Sequence, residues 1–312
     1  MAVDHWTEFY RGGALVTCAT GTEPGYSGAV EQVWRDFFRA LPAGARIVDI
    51  GSGNGAIPAI AIDVSRTEKL DFGIHATDLA EIDPVEHVPD GRRLFAGVHF
   101  HPGVPAHELP FANASVTAVT GHYALEYTDV ADTLREIARV LAPRGHALFI
   151  IHHADSVVVR NALESLGHAE LLLEQERVFQ RLREFFGVGP ASDAAAAKAA
   201  ELNAISARLR DVAAASMNPF LINETLQSLQ QLFDARLSAA REQIVALLRG
   251  NEEALRNSRR RWQDLAAAAV SEDGFTDIMR QAERNGLAVT DSAEQYQDDG
   301  TLLAWRLRLR SP

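Results

Sequence analysis

Arg46-Ile-Val-Asp-Ile-Gly-Ser-Gly-Asn-Gly55 is the stretch that decides the fold. A short apolar strand runs into a turn in which Gly51, Gly53 and Gly55 alternate. Glycine there lets the backbone take positive φ and lets a ligand approach closely. Ala56-Ile-Pro-Ala-Ile-Ala-Ile62 then reads as the opening of a helix, with amide N–H groups aimed back at the turn. Strand, bare turn and helix start make a nucleotide-type cradle, and Asp49 stands at its entrance.

Working outward, short strands are predicted at residues 73–76, 94–100, 116–120 and 147–151. A helix is predicted over 29–41, with Val33, Trp34, Phe37 and Phe38 on one side, and another over 128–141, with Leu134, Ile137, Ala138 and Leu141 as its buried stripe. Pro143-Arg-Gly145 breaks the second helix before the fifth strand. Near the end, residues 275–285 read as a helix closed by Gly286. A strand from 287, a turn at Asp298-Asp-Gly300 and a strand over 301–309 follow. The expected fold is therefore α/β: a doubly wound, mostly parallel seven-stranded sheet with an antiparallel C-terminal hairpin. Between 155 and about 270 strand signals vanish. Ile222, Leu226, Leu229, Phe233, Leu237, Ile244 and Leu248 predict one long amphipathic helix within an all-helical insert. The expected domains are 1–155 with 266–312, and the insert at 156–265.

Gly51-Ser-Gly-Asn-Gly-Ala56 also satisfies the dinucleotide fingerprint G-x-G-x-x-A, which alone is a weak signal. Asp78, at the end of the second strand, suits ribose hydroxyls in either a dinucleotide or an adenosyl ligand. Asp49 separates the two readings: a carboxylate facing the turn suits a cationic ligand and repels a pyrophosphate. The C-terminal hairpin is likewise foreign to a standard dinucleotide fold.

Four segments, in order, resemble the class I S-adenosylmethionine-dependent methyltransferases, in particular the ubiquinone/menaquinone-biosynthesis-like group. They are Asp49-Ile-Gly-Ser-Gly-Asn-Gly55, the acid at Asp78, Leu109-Pro-Phe-Ala-Asn-Ala-Ser115, and Leu134-Arg-Glu-Ile-Ala-Arg-Val-Leu-Ala-Pro-Arg-Gly145. The resemblance spans residues 30–155 and 270–312. It implies S-adenosyl-L-methionine as cofactor, held by Asp49, Gly51, Ser52, Gly53, Gly55, Asp78 and Leu79, with Tyr123 lining the pocket. The chain departs from the family at the adenine contact. An Asp often precedes Leu-Pro-Phe, but here the run is Pro102-Gly-Val-Pro-Ala-His-Glu108, which leaves His107, Glu108, Val104 or backbone groups to hold the ring. Thr117 likewise stands where the fourth strand usually opens with Asp.

Methyl transfer from a sulfonium needs orientation and a dry pocket, and a general base only when the acceptor must lose a proton. Candidates lie where the strands end, in Gly121-His-Tyr-Ala-Leu-Glu126 and His152-His153. His122 and His152 are the candidate catalytic residues. For each, an ordinary satisfied imidazole is the competing reading. His152 and His153, as strand neighbours, face opposite sides and make no metal motif. No metal is expected. Trp6, Tyr10 and Tyr26 form either an N-terminal lid or plain packing. Arg256, Arg259, Arg260 and Arg261 read as a solvated, ion-paired helix face.

The chain has 312 residues, 47% of them hydrophobic, and a formal charge of −12, which argues against a nucleic-acid partner. Cys18 is the only cysteine, so neither an internal disulfide nor a cysteine zinc site forms, which fits a cytoplasmic protein. No signal peptide and no membrane-spanning run is apparent, so no membrane partner is expected. The expected activity is methyl transfer to a small organic acceptor. The rivals are a methyltransferase acting on protein or nucleic acid, a catalytically silent cofactor-binding scaffold, and an NAD-dependent oxidoreductase. The insert is expected to act as a cap over the acceptor or as an arm for a homodimer.

Overall fold

The structure, a computed structural model, describes residues 4–17, 25–188, 193–235 and 241–312. Cys18 and Leu237 lie outside the described residues. The chain divides into two units, residues 1–159 with 267–312, and residues 160–266.

The first unit starts with helices α1 (Asp4–Arg11) and α2 (Gly28–Arg39), then β1 (Arg46–Ile50), α3 (Ala56–Glu68) and β2 (Gly73–Thr77). Two one-turn helices, α4 (Pro84–His87) and α5 (Gly91–Leu94), precede β3 (Val98–His101) and β4 (Val116–His122). A 3-10 turn (Leu125–Tyr127), α6 (Val130–Val140) and β5 (Leu141–His152) complete the first pass. The seven-stranded sheet has the order β3-β2-β1-β4-β5-β7-β6, where β6 (Ala288–Tyr296) and β7 (Leu302–Arg310) close the chain. β1 to β5 run parallel, and β7 lies antiparallel between β5 and β6. This is the expected doubly wound sheet with its antiparallel C-terminal hairpin.

Ile47, Val48 and Ile50 are all buried, as a central strand covered on both faces requires. On one side Val48, Val119, Phe149 and Leu307 pack with Leu134 and Ile137 of α6. Phe275 and Ile278 of the helix Glu272–Arg284 join the same cluster. α2 and α3 pair with each other, and α3 lies against β2 and β4. On β7, Trp305, Leu307 and Leu309 are buried while Arg306 turns to Asp291 and Gln295 of β6, the alternation expected of a one-sided strand.

Two strand boundaries need correction. The third strand, expected over 94–100, starts only at Val98. Leu94 ends the one-turn helix α5 and residues 95–97 form a turn, in which Phe95 is buried against the glycine turn, which explains the apolar signal. The fifth strand starts at Leu141, before the Pro143-Arg-Gly145 break. The β4–β5 register shifts there, Arg144 takes φ +62°, and the backbone N–H groups of Arg144 and Gly145 bond to Pro312 and Ser311. A bulge accommodates the proline inside the strand.

The Leu109-Pro-Phe segment is tied down by α6. Glu136 accepts the Leu109 N–H at 2.6 Å, and Arg139 donates to the carbonyls of Leu109 and Phe111 and to both Glu136 oxygens. Burial, the largest single influence, would push the Glu136 carboxyl up, but the Arg139 and Leu109 hydrogen bonds and the charges of Arg139 and His107 together hold it below its ordinary value. A lowered carboxyl contributes stability above its unfolded value and loses it as pH falls through the folded one. Glu136→Ala is expected to cost roughly 2 kcal/mol in urea unfolding at pH 7, and less below pH 4. An equal loss at both pH values would refute the charge-based account.

The second unit is helical: most of α7 (Val157–Glu170), a π-turn (Leu171–Gln175), α8 (Val178–Gly187), α9 (Asp193–Ala215), α10 (Phe220–Ala235) and most of α11 (Arg241–Ala268), with α12 (Glu272–Arg284) back in the first unit. It has its own core, with Leu172, Leu182, Leu202, Leu209, Ile222 and Leu248 almost wholly buried. The expected single long helix is two. Ile222, Leu226, Leu229 and Phe233 lie on α10, while Ile244 and Leu248 lie on α11. An apolar period continues across a helix break when both helices face one core, so periodicity alone did not reveal it. The arginines of α11 are paired as expected of a solvated face: Arg256 with Glu252, Arg259 with Glu174, Arg260 with Asn257 and Arg261 with Ser258.

Candidate active site

The candidate residues gather where β1, β2, β4 and β5 end. The turn after β1 is held by its amides, one bonded within the turn and two to the end of β2 and the residue that follows it. The amides of Ser52, Gly53 and Gly55 donate to Thr77 O, Asp78 Oδ2 and Ser52 O, at 3.0, 2.8 and 2.9 Å. Gly51 has φ +57°, and a Cβ there would stand 2.6 Å from the Ala124 Cβ. Gly53 has φ +50°, and a Cβ there would meet the ring of Tyr10 at 2.6 Å. Both positions exclude an L side chain, by conformation and by space.

Two carboxyls flank the turn. Asp49 is 2% exposed and accepts the Thr120 hydroxyl at 2.6 Å. Burial pushes it up to about 8, with the hydroxyl working the other way and the nearby Asp78 adding to the rise. Asp78 is buried and is pushed up to about 6 by burial, against the N–H groups of Ala80 and Gly53 that it accepts. Each Asp78 oxygen keeps a lone pair beyond that single backbone donor. With three of its amides already bonded and two carboxyls beside it, the turn has little to offer a pyrophosphate. It suits a ligand with hydroxyls and a positive charge. Ser52 Oγ and Asn54 Oδ1 are buried with no hydrogen-bond partner among the described residues, as polar atoms facing a ligand would be.

The loop after β3 lies beside Asp78, since Val104 N donates to Asp78 O at 2.8 Å. Val104 packs on the main core, whereas His107 and Glu108 are exposed, and so is Leu79. Of the adenine candidates, Val104 is thus held against the site, while His107 and Glu108 are exposed. α1 lies at the turn: Asn54 Nδ2 donates to the carbonyls of Tyr10 and Ala14, and Thr7 Oγ1 accepts the Glu81 N–H. Trp6 stacks on Tyr10 and meets Tyr127 edge-on.

Beyond β4, Trp34 Nε1 donates to His122 Nδ1 at 2.9 Å, which leaves the imidazole proton on Nε2. Tyr26 stacks on the same ring at 4.0 Å. Burial, with His152 nearby, lowers His122 well below its ordinary value. A neutral imidazole with Nδ1 occupied can only donate from Nε2, so the geometry gives His122 no general-base role. Tyr123 takes φ +54°, stacks on His152 at 3.8 Å and donates to Leu303 O at 3.3 Å. His152 is fully buried and lowered to about 3 by burial. His153 faces the other way, stacked on Trp305.

The sequence reading gave three residues no role here. Thr120 and Trp34 are recognisable only through their partners. Glu126 accepts the His152 backbone N–H at 2.7 Å and is pushed up to about 8 by burial. Its one sequence signal was its place just after β4. Among the described residues no group of three or more His, Cys, Asp and Glu side chains is arranged to hold a metal ion.

Residues 48–149 match the family described as a methyltransferase domain. This segment is a methyltransferase domain. It covers the turn, Asp78, the Leu-Pro-Phe segment and β4 to β5, the segments that carried the resemblance. No curated protein sequence matches the chain. Among solved structures, geranyl diphosphate C-methyltransferase from Streptomyces coelicolor A3(2) is 19% identical with a TM-score of 0.33, over 39% of this chain and 44% of that one. The match thus spans less than half of that enzyme. The 1,6-didemethyltoxoflavin-N1-methyltransferase of Burkholderia thailandensis is 13% identical with a TM-score of 0.44, over 91% of this chain and 79% of that one. An S-adenosylmethionine-dependent methyltransferase from Mesorhizobium loti is 24% identical with a TM-score of 0.29, over 38% and 53%. Among the described residues no helix is long and apolar enough to cross a membrane.

Proposed function

We propose that the chain transfers a methyl group from S-adenosyl-L-methionine to a small organic acceptor. The observation that carries this reading is the pair of buried carboxyls, Asp49 and Asp78, on either side of a glycine turn inside a methyltransferase domain. The cofactor, when bound, supplies an already activated methyl group. Asp49 would meet its cationic amino-acid end, Asp78 the ribose hydroxyls, Ser52 a polar edge, and Val104 the adenine. The paired glycines allow that approach. α1, with Trp6 and Tyr10, would act as a lid that excludes water from the turn.

The charge of −12 supports a small acceptor over a phosphate-rich one. The helical unit would join two copies. An insert-deleted chain that kept its oligomeric state on size-exclusion chromatography would remove that role. Membership of the ubiquinone/menaquinone-biosynthesis-like group and a cytoplasmic location complete the reading.

Calorimetric titration with S-adenosylmethionine, S-adenosylhomocysteine and NAD tests it. Binding of the first two and no heat with NAD is the expected result. NAD binding without sulfonium binding would overturn it. Transfer of tritiated methyl into a metabolite pool, against protein and RNA pools, then separates a small acceptor from a macromolecule, and an enzyme from a silent scaffold.

A further inference from the structure

We infer that Glu126 and His152 form the polar end of the acceptor pocket and recognise an uncharged acceptor carrying a hydrogen-bond donor and a hydrogen-bond acceptor on neighbouring atoms. This rests on the methyl-transfer reading above. His152 ends β5, is 0% exposed, and has both ring nitrogens buried with no partner among the described residues. A neutral imidazole has one N–H and one lone pair, so one donor and one acceptor stand unanswered in the same ring. Glu126 adds a third such atom. Its Oε1 accepts the His152 backbone N–H, while Oε2 is buried without a partner. Buried polar groups are nearly always bonded, and three orphaned atoms on two touching residues mark a place prepared for a polar ligand.

The surroundings fix what that ligand is. Tyr123 lies flat on one face of His152 at 3.8 Å and Tyr127 meets the ring edge-on at 5.9 Å. The other titratable groups here are His122, whose Nδ1 is taken by Trp34, and the two tyrosines. No cationic side chain or ionised carboxylate is among them. Burial raises Glu126 to about 8 and lowers His152 to about 3, so at neutral pH the first is a protonated acid and the second an uncharged ring. A cationic or anionic acceptor would meet no counter-charge, whereas a neutral donor–acceptor pair finds complementary atoms. The backbone holds this arrangement at some cost: Tyr123, a bulky residue, is kept at φ +54°. The site also adjoins the glycine turn, because Ala124, two residues before Glu126, is the residue that a side chain on Gly51 would strike.

Ring-labelled 15N-histidine NMR of the full chain tests this, with 2-pyridone as probe, since it carries N–H beside C=O. Pyridine carboxylate and N-methylpyridinium are its charged counterparts. We expect 2-pyridone, in the presence of S-adenosylhomocysteine, to shift the His152 ring nitrogens and to bind at least tenfold more tightly than either ion. Glu126→Gln, which imitates the protonated acid, should keep that affinity within threefold. His152→Phe, which keeps the stack on Tyr123, should lose it tenfold or more without lowering Tm. Equal binding of the three rings, no shift at His152, or unchanged affinity in His152→Phe overturns the inference. Heat with S-adenosylhomocysteine but no pyridone shift sinks this inference alone. The reverse pattern sinks the methyl-transfer reading alone.

Discussion

Replacing Asp49 by asparagine is expected to stabilise the free chain and to weaken S-adenosylmethionine binding about 30-fold or more. Asp49 is buried at the end of β1 with one hydroxyl partner, Thr120, and the second carboxyl, Asp78, close by. Its folded value of about 8 lies above the unfolded one. The stability that such a group contributes is complete below its unfolded value and is lost as pH rises through about 8. Asp78 follows the same rule through about 6. His152, lowered to about 3, acts in the opposite sense below its ordinary value. Asp49 tilts stability together with Glu126, which burial also raises to about 8, in a window of roughly pH 6.5 to 8. There the wild-type chain should lose urea resistance as pH rises, and Asp49→Asn should remove about half of the slope, leaving the part due to Glu126. An asparagine Oδ1 still accepts the Thr120 hydroxyl and has no charge to desolvate, so the gain at pH 7 is on the order of 3 kcal/mol. Losing a buried charge partner for the cationic end of the cofactor costs binding about 2 kcal/mol or more.

The same coupling makes binding release a proton. At pH 7 Asp49 is largely protonated, and a bound cation should return it to the ionised form. Titrations in two buffers of different ionisation heat should report close to one proton released per cofactor bound, and none in Asp49→Asn. Binding without proton release would show that Asp49 does not face the cation.

Gly53→Arg should abolish cofactor binding while the sheet stays folded. Gly51 and Gly53 share a positive φ but differ in what surrounds them. At Gly51 the obstacle is Ala124 on the chain that follows β4, so even alanine there strains the fold. At Gly53 the obstacle is the ring of Tyr10 on α1, a single eight-residue helix. An arginine at 53 takes the space of that ring, costs about 1–2 kcal/mol for its left-handed backbone, and puts a positive charge where a cationic ligand must sit. The expected result is no measurable heat with S-adenosylmethionine, near-native far-UV circular dichroism, and faster hydrogen exchange in α1. Retained binding would mean that the ligand does not approach Gly53. Loss of the sheet would mean that the turn is structural first.

The strand–turn–helix at Arg46–Glu68, the succession of strands along the chain and the closing hairpin were legible because each rests on local chemistry. Alternating glycines, apolar runs and turn residues are written in adjacent letters. Phe95 misled the reading because burial against the glycine turn and burial in a strand leave the same apolar mark. The two-helix structure over 220–268 stayed hidden because the apolar period survives the break. At the site, Asp49 and Asp78 were readable from their positions before and after known turns. The tautomer of His122 was not, since it depends on Trp34, 88 positions away in sequence.

The sequence by itself determined the α/β architecture and singled out the glycine turn as the candidate cradle, because periodicity and glycine placement act over a few residues. Only the tertiary structure decided what the polar side chains can do there. It brings Thr120 to Asp49, Trp34 to His122, Tyr10 to Gly53, and the backbone of His152 to Glu126. Charge state, tautomer and accessibility are properties of such long-range neighbours, and a linear pattern contains no record of which distant groups burial will press together.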